Sequence, residues 1–436
     1  MEGAAENDWV EWERLGRLKE RHVRCGAATG HSERWRQDLS LLPEIRANAY
    51  RYSIEWSRIE PRFGEFDEAE VARERARADF LHRLGVEPVV TLHHYTHPTW
   101  FWKRGGWENA HSVAWFRRLA ERVGSALPGV RTWVTLNEPI VFLLGGYLGG
   151  LIPPGKKSFA AAAKSLEHLL RAHAEAAAAL AERPGGARCG IAHNMLDFAA
   201  DRPDSVLDRG LVKAAESLYN LALVGAVATG RMQWSFPGEG QTAFAVPELP
   251  AVTSWFGVNY YSRVHLRFRG VPGRVGEFFY RDRSGRGLTD TGWEIHPQGF
   301  DRVLRQAAES GLPILVTENG IATENDALRR AFLHEHTLVL AHHLDQGTPI
   351  EGYFYWSLLD NFEWLEGFRP RFGLYEVDYA TLARRRRPSA DLFAALGRRF
   401  TRMYISGTKT HETQAAPGDL GAPAREGGEG RARNPR

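Results

Sequence analysis

Three features of the sequence predict an α/β fold of the (β/α)8 barrel type, a TIM barrel. Short apolar segments alternate with amphipathic helical patterns, polar residues follow most of the apolar segments, and no Gly-rich phosphate loop follows the first of them. Barrel enzymes place reactive side chains after several different strands, whereas a dinucleotide-binding sheet carries a Gly-rich loop after its first strand. The barrel is therefore favoured over a doubly wound sheet.

Seven strands are predicted in order along the chain, one fewer than a closed barrel contains. They span 49–54, 88–92, 132–136, 189–193, 255–259, 314–317 and 352–356. Helical patterns lie between them, including 68–84, 112–126, 159–182 and 328–344. Polar or aromatic side chains lie in or directly after each strand; in order these are Arg51, His94, Asn137 with Glu138, Asn194, Asn259 with Tyr261, Glu318 with Asn319, and Trp356.

The composition fits one large domain that acts on a small molecule. The 436 residues are 43% hydrophobic, and 56 Lys and Arg nearly balance 53 Asp and Glu. This balance favours neither a nucleic-acid nor a membrane-surface partner. We predict a single barrel domain over residues 1–404 and a disordered tail over 405–436, where large apolar residues become rare. The oligomeric state is left open.

The cellular setting predicted from the sequence is the cytoplasm. Cys25 and Cys189 are far apart in the chain and form no CxxC motif, which is typical of a reduced compartment. The acidic N-terminus lacks the apolar segment of a signal peptide, and the longest apolar run, 139–154, is interrupted by glycines. That run is shorter than the roughly 20 residues of a membrane span. We expect a soluble protein without membrane contact.

Two carboxylates, Glu138 and Glu318, are the candidate catalytic pair. Either one alone would more often be a helix cap or a loop residue. Both, however, follow apolar strands that lie three units apart in the predicted barrel, and such strands face each other across its mouth. Retaining glycoside hydrolysis uses two carboxyl groups about 5 to 5.5 Å apart, one an acid and one a nucleophile. The pair therefore favours this chemistry over the structural reading.

Three nearby residues suit supporting roles. Arg51 and Tyr261 would keep a carboxylate nucleophile anionic, by charge and by hydrogen bonding. Asn137 would bind the sugar 2-OH. The segment 356–364 is rich in aromatic rings, which suit the C–H faces of a pyranose, and its Glu363 can accept hydrogen bonds from two hydroxyls. A core role explains these aromatic residues but leaves Glu363 unexplained.

The histidines at 93, 94 and 97 raise the possibility of a metal site. The pattern lacks the Glu of the HExxH helix and follows a strand, so no metal is predicted. His94 is instead expected to donate a hydrogen bond to substrate. The basic run 384–387 is expected to be a solvated surface.

Together the motifs resemble glycoside hydrolase family 1, the retaining β-glucosidases and β-galactosidases on a TIM barrel. The resemblance runs from Glu2 to about Arg402, and the ordered set of motifs is far more specific than any one of them. The motifs are YRYSIEWSRI (50–59), TLHH (91–94), GGW (105–107), NEP (137–139), NYY (259–261), TENG (317–320) and the aromatic segment 356–364.

The resemblance implies a role for each candidate residue. Glu138 corresponds to the acid/base and Glu318 to the nucleophile. Their supporting residues are Arg51, Asn137, Asn259 and Tyr261, and the sugar-binding residues are His94, Trp356, Glu363 and Trp364. Family members specific for 6-phosphosugars carry Ser near the position of Glu363, so an unphosphorylated β-glucoside, galactoside or fucoside is the expected substrate. No cofactor is expected.

The sequence departs from the family at its start. Family members open with a strand whose Gln binds the sugar, and this chain enters the pattern after it, at Glu2-Gly3. Two explanations are open: the sequence starts inside a longer reading frame that encodes this strand, or the barrel lacks its first strand. In the second case two unpaired edges remain, which a rearrangement, a partner chain or an apolar ligand could cover. The alternative to an enzyme is a catalytically weak or inactive sugar-binding or interaction protein on this scaffold. Retention of both glutamates favours the enzyme.

Overall fold

The computed structural model describes residues 6–236, 238–271 and 274–405. Its central sheet has seven parallel strands, ordered in space as along the chain. Each overlaps a predicted segment and ends within two residues of it, which confirms all seven. The strands are β1 (Ala49–Ser53), β2 (Glu87–His93), β3 (Thr132–Asn137), β4 (Arg188–Asn194), β5 (Trp255–Tyr260), β6 (Ile314–Asn319) and β7 (Ile350–Tyr355).

The sheet curls into a nearly closed barrel. In a flat sheet, β1 and β6 would lie about 24 Å apart, five spacings of roughly 4.8 Å. Instead Arg51 of β1 donates a hydrogen bond of 2.6 Å to Glu318 of β6. This contact across the barrel confirms the predicted architecture.

Helices surround the barrel and connect its strands. They are α1 (Asp8–Arg14), α2 (His31–Leu39), α3 (Trp56–Ile59), α4 (Glu68–Arg83), α5 (Thr99–Lys103), α6 (Ser112–Ala126), α7 (Pro139–Leu143), α8 (Phe159–Ala181), α9 (Val206–Ala215), α10 (Ala222–Thr229), α11 (Leu249–Val252), α12 (Pro297–Ala308), α13 (Asp326–Asp345) and α14 (Pro388–Phe400). Shorter 3-10 turns cover Pro43–Ile45, Gly106–Glu108 and Trp364–Glu366, and π-helical turns cover Leu144–Leu148, Glu216–Leu221 and Thr401–Ile405.

The Ala-rich helix α8 shows how the sequence sets this outer layer. Its N-terminus is capped by Ser158, whose hydroxyl accepts from the amide of Ala161 at 3.2 Å. Small side chains let it approach α6 closely, and a Cβ added at Gly124 of α6 would lie 2.7 Å from Leu180. The long helix is thus held by both a cap and close packing.

Within the described part of the chain, three small sheets lie outside the barrel. Strand Arg263–Val271 pairs antiparallel with Arg274–Phe279 and parallel with Asp197–Ala200. Strand Arg231–Phe236 pairs with Gly240–Ala245, and Tyr375–Val377 pairs with Arg384–Arg386. Two strands of the first of these sheets begin within three residues after the carboxyl ends of β4 and β5.

Between β1 and β7 the barrel has a seam. Among residues 6–236, 238–271 and 274–405, no strand pairs with the outer edge of either β1 or β7. A cavity of about 330 Å³ lies there, bordered by Tyr50 and Tyr52 of β1, Tyr353 of β7 and Phe393 of α14. The buried hydroxyl of Tyr52 has no hydrogen-bond partner. This seam agrees with the predicted absence of one strand.

The basic run 384–387 is only partly the solvated surface that its charge predicts. Arg384 makes a two-point ion pair with buried Asp38, at 2.7 and 2.9 Å. Arg387 is 8% exposed and pairs with buried Asp360 at 2.9 and 2.8 Å. The expectation is therefore wrong for two of the four arginines, because buried acids from distant segments face them. The predicted tail 405–436 lies, from residue 406, outside the described residues.

One helical stretch of the described residues, Val206–Thr229, is long and apolar enough to cross a membrane by length and composition. Helices packed in a protein core pass the same test. In the fold, Leu223 and Val227 of this stretch are fully buried, whereas Val206 and Leu207 at its start are exposed. The two cysteines are also buried and are not joined by a disulfide.

Candidate active site

Glu138 and Glu318 meet at the carboxyl ends of the barrel strands. Glu138 follows β3 directly, and Glu318 is the next-to-last residue of β6. Both side chains are buried, with exposures of 7% and 5%. They border the same cavity of about 390 Å³. The backbone of Glu138 has a left-handed φ of 50°, which is unusual for a residue with a side chain. Its amide is held by the carbonyl of Ala192 in β4 at 2.7 Å.

Glu318 is surrounded by hydrogen-bond donors. Arg51 donates to one carboxylate oxygen at 2.6 Å, and the Tyr261 hydroxyl donates to the other at 2.6 Å. Burial and the neighbouring Glu318 charge hold the pKa of Tyr261 well above its usual range, so the phenol stays protonated. Arg51 is itself fixed by the hydroxyl of Thr91 at 3.1 Å and the carbonyl of Thr317 at 3.3 Å. These contacts suit a carboxylate anion with a fixed orientation.

Glu138 has a different environment. Its Oε1 accepts from the side-chain amides of Asn259 at 2.8 Å and Asn194 at 3.2 Å, and its Oε2 faces the hydroxyl of Tyr95. The pKa of Glu138 is raised to about 7, first by burial and then by the charge of Glu318, while its three hydrogen bonds oppose the rise. Two carboxyl groups of one site therefore differ in their surroundings, as an acid and a nucleophile must.

The amide of Asn137 contacts one partner of each carboxyl group. Its oxygen accepts from Arg51 at 2.6 Å and from Asn259 at 3.3 Å. The side-chain NH2 of Asn137 is therefore the group left to donate to a bound hydroxyl. The Asn259 oxygen accepts from Thr317 at 2.6 Å, so both amides have fixed orientations.

The remaining predicted residues line the same cavity. The indole N–H of Trp356 donates to Glu363 at 3.1 Å, and the ring of His94 lies 5.6 Å from that of Trp364. The pKa of Glu363 is raised to about 7, mainly by burial. Burial and the charge of Arg51 hold the pKa of His94 well below its usual range, so its imidazole is neutral. All ten predicted site residues thus converge on one end of the barrel.

Several residues of the cavity were not predicted. Tyr95 contacts Glu138, and Tyr219 orients Asn194 by donating to its amide oxygen at 2.7 Å. Trp293 and Phe372, whose ring centroids lie 6.4 Å apart, also line the cavity. Tyr95 could have been found from its place directly after β2. Tyr219 carried no local signal, because it lies in a helical turn that only the fold brings to the site.

His93 and His97 contact each other and other protein groups. Their Nε2 atoms lie 2.9 Å apart, Trp107 donates to His97 at 2.8 Å, and Asp8 accepts from the other ring nitrogen of His97 at 2.7 Å. Over the part of the chain that the structure describes, no cluster of three His, Cys, Asp or Glu side chains could hold a metal ion.

The barrel, the paired carboxyl groups and the aromatic cavity define a β-glycosidase of the two-carboxyl class. The sequence model of glycosyl hydrolase family 1 matches residues 2–400, and the chain belongs to this family. It is a glycosyl hydrolase, and the family resemblance seen in the sequence is confirmed.

Its relatives are similar over most of their length. A β-galactosidase of Pyrococcus woesei is 31% identical, with 86% of this chain and 88% of the relative covered. β-Glucosidase A of Thermotoga maritima is 31% identical, with 82% and 84% covered. The solved β-glycosidase of Pyrococcus horikoshii has a TM-score of 0.84 and 36% identity, with 91% of each chain covered.

Proposed function

We propose that the protein is a retaining exo-β-glycosidase that hydrolyses unphosphorylated β-glucosides, galactosides or fucosides. The observation that carries this proposal is the contrast between the two carboxyl groups. Glu318 accepts from Arg51 and Tyr261, whereas Glu138 has a pKa raised to about 7. A carboxyl group held by two donors therefore faces a carboxyl group whose pKa is raised, which is the contrast that a nucleophile and an acid require.

The reaction has two displacements. In the first, a carboxylate oxygen of Glu318 bonds to the anomeric carbon while the glycosidic bond breaks, and Glu138 gives its proton to the leaving oxygen. In the second, Glu138, now anionic, takes a proton from water as the water oxygen bonds to the anomeric carbon and releases Glu318. Two inversions give net retention, and Glu138 ends protonated as it began.

The sugar-binding end of the cavity supports an unphosphorylated substrate. Glu363 lies beside Trp356 with its carboxyl buried, so a phosphate dianion placed there would meet a partly negative group in a low-dielectric site. Because its oxygen accepts from Arg51, the amide of Asn137 would use its NH2 to donate to the 2-OH. No cofactor takes part in the proposed steps, and we propose that the enzyme works in the cytoplasm.

Chemical rescue tests the roles of the two carboxyl groups. Purified wild type should hydrolyse at least one of the aryl β-glucoside, β-galactoside and β-fucoside. Glu318→Gly should lose turnover, and azide should then yield the α-glycosyl azide, because it replaces the nucleophile in a single displacement. Glu138→Ala should slow the hydrolysis of substrates with poor leaving groups by about 10²- to 10⁴-fold. Added azide should then yield the β-glycosyl azide.

A matched variant controls for general effects of removing a carboxylate. Glu121→Ala removes one from the exposed surface of α6, where it pairs with Arg117, and should leave turnover unchanged. Unchanged turnover in Glu318→Gly would contradict the mechanism. A wild type that binds the sugars but turns over none of them would favour the sugar-binding alternative.

A further inference from the structure

Tyr95 is a buried phenol that directly contacts the acid/base carboxyl group. It is 6% exposed, follows β2 and has a left-handed φ of 71°. Its hydroxyl faces Oε2 of Glu138. The ring packs edge-on against Trp364 with centroids 4.9 Å apart, and its carbonyl accepts from the indole of Trp9 at 3.3 Å. An unusual backbone conformation at a fully packed position indicates a side chain held for a purpose.

The neighbouring amides determine which oxygen of Glu138 can carry a proton. Arg51 only donates, and it donates to the Asn137 oxygen. The group of Asn259 that faces this oxygen must therefore be its NH2, which also donates to Oε1 of Glu138 at 2.8 Å. Asn194 donates to the same oxygen at 3.2 Å. Oε1 thus faces two donors that cannot accept, and a proton on Glu138 is directed to Oε2.

Tyr95 is the partner of that second oxygen, and a hydroxyl can both accept and donate. We propose that Tyr95 is a positioning residue that holds the proton-carrying oxygen of Glu138 in both of its protonation states. The proposal rests on the acid/base role of Glu138 under the proposed function. When Glu138 is neutral, its Oε2–H donates to the Tyr95 oxygen until the substrate oxygen takes its place. When Glu138 is anionic, the Tyr95 O–H turns and donates to Oε2.

For catalysis, the Tyr95 hydroxyl would keep the pKa of Glu138 low enough for this carboxyl group to serve as an acid in the first step and as a base in the second. The titratable groups around Glu138 are Tyr95, Tyr219, Tyr261 and Glu318. Of these, Tyr95 alone is among the hydrogen bonds that lower the pKa of Glu138. Without its hydroxyl the anion loses a donor, so the carboxyl should titrate at higher pH and be less available as the base of the second step.

The test compares Tyr95→Phe with 3,5-difluorotyrosine placed at position 95. The titration of Glu138 is followed by ¹³C NMR of the side-chain carboxyl resonance that disappears in Glu138→Gln. Tyr95→Phe should raise the midpoint by about one pH unit, the size expected of one hydrogen bond to a charged group. Difluorotyrosine, a stronger donor, should lower it. The alkaline limb of kcat/KM should move in the same directions.

Tyr404→Phe is the matched control, because it removes a phenol–carboxylate contact of 3.0 Å to Asp345 far from the cavity. This variant should change neither the titration midpoint of Glu138 nor the alkaline limb of kcat/KM. Equal midpoints in wild type and both Tyr95 variants would overturn the proposal. Midpoints that shift as expected in a protein without turnover would support the positioning role and refute the proposed hydrolysis, so the two failures are distinguishable.

Discussion

At the scale of single residues, the site contains two carboxyl groups that share one unusual property. The pKa of Glu138 and that of Glu363 are both raised to about 7, in each case mainly by burial. Their useful states are opposite. Glu138 must be protonated to give its proton to the leaving group, whereas Glu363 accepts most hydrogen bonds from sugar hydroxyls when it is an anion.

We therefore expect a narrow pH optimum near 7. As pH rises through 7, Glu138 loses its proton and the first step slows, about tenfold per pH unit. As pH falls through 7, Glu363 gains a proton, loses acceptor capacity and KM rises. Steady-state kinetics from pH 5 to 9 with an aryl glycoside test this expectation.

Glu363→Gln provides the control. Its KM should be higher than that of wild type and should no longer rise toward low pH, while the alkaline fall remains. If the KM of Glu363→Gln still rose toward low pH as in wild type, that rise could not be assigned to protonation of Glu363.

Much of the site could be predicted because its residues sit at strand ends. Glu138 and Glu318 stand directly beside apolar segments, and the parallel barrel brings all such ends together. Tyr95 lies within the histidine cluster 93–97, which was considered as a metal site and rejected, and its own phenol was given no role. Trp293 and Phe372 reach the cavity from long connections, whose paths depend on packing that a local pattern does not encode.

At the scale of secondary-structure elements, the barrel strands were predictable and the outer sheets were not. β6 is buried throughout and β3 in all but its first residue, so each is a short segment rich in apolar residues before its polar end. Strand Arg231–Phe236 alternates buried and exposed residues within a polar segment. Strand Arg384–Arg386 consists only of arginines and forms because it pairs with Tyr375–Val377, which is a tertiary effect.

The ends of β6 and β7 come so close together that only glycine fits between them. A Cβ added at Gly320 would lie 2.0 Å from the backbone carbonyl oxygen of Trp356, which cannot move aside as a flexible side chain could. We expect Gly320→Ala to lower the free energy of unfolding by about 1–3 kcal/mol or more, measured by chemical denaturation. Activity should also fall, because Glu318 and Trp356 adjoin the displaced backbone.

A second glycine serves as the control. Gly397 lies in α14 with open space around its Cβ position, so alanine there should leave stability unchanged or raise it by up to about 1 kcal/mol. Equal stability of the two alanine variants would show that the β6 and β7 ends can separate at little cost.

At the scale of the whole molecule, the glycosidase is one barrel that the family model matches as far as residue 400. The tail keeps its sequence-based prediction of disorder. We expect a chain ending at residue 405 to retain the melting temperature and kcat/KM of the full chain. Differential scanning calorimetry and aryl glycoside hydrolysis check both quantities.

A longer deletion gives the contrasting result. A chain ending at residue 387 lacks α14, whose Ala390 and Ala394 are buried and whose Phe393 borders the seam cavity. It should melt at lower temperature or fail to fold. Loss of activity on removing residues 406–436 alone would show that the tail contributes to the working enzyme.

Because of the seam, the strands that hold the active-site residues differ in how many neighbouring strands they pair with. Arg51, which orients Glu318, lies in β1, and among the residues that the structure describes β1 pairs with β2 alone. Glu138 follows β3 and Glu318 lies in β6, and both of these strands are paired on both sides. Local opening starts at the least paired elements. Warming should therefore detach the arginine from its carboxylate while the rest of the barrel stays folded, so that loss of activity precedes melting.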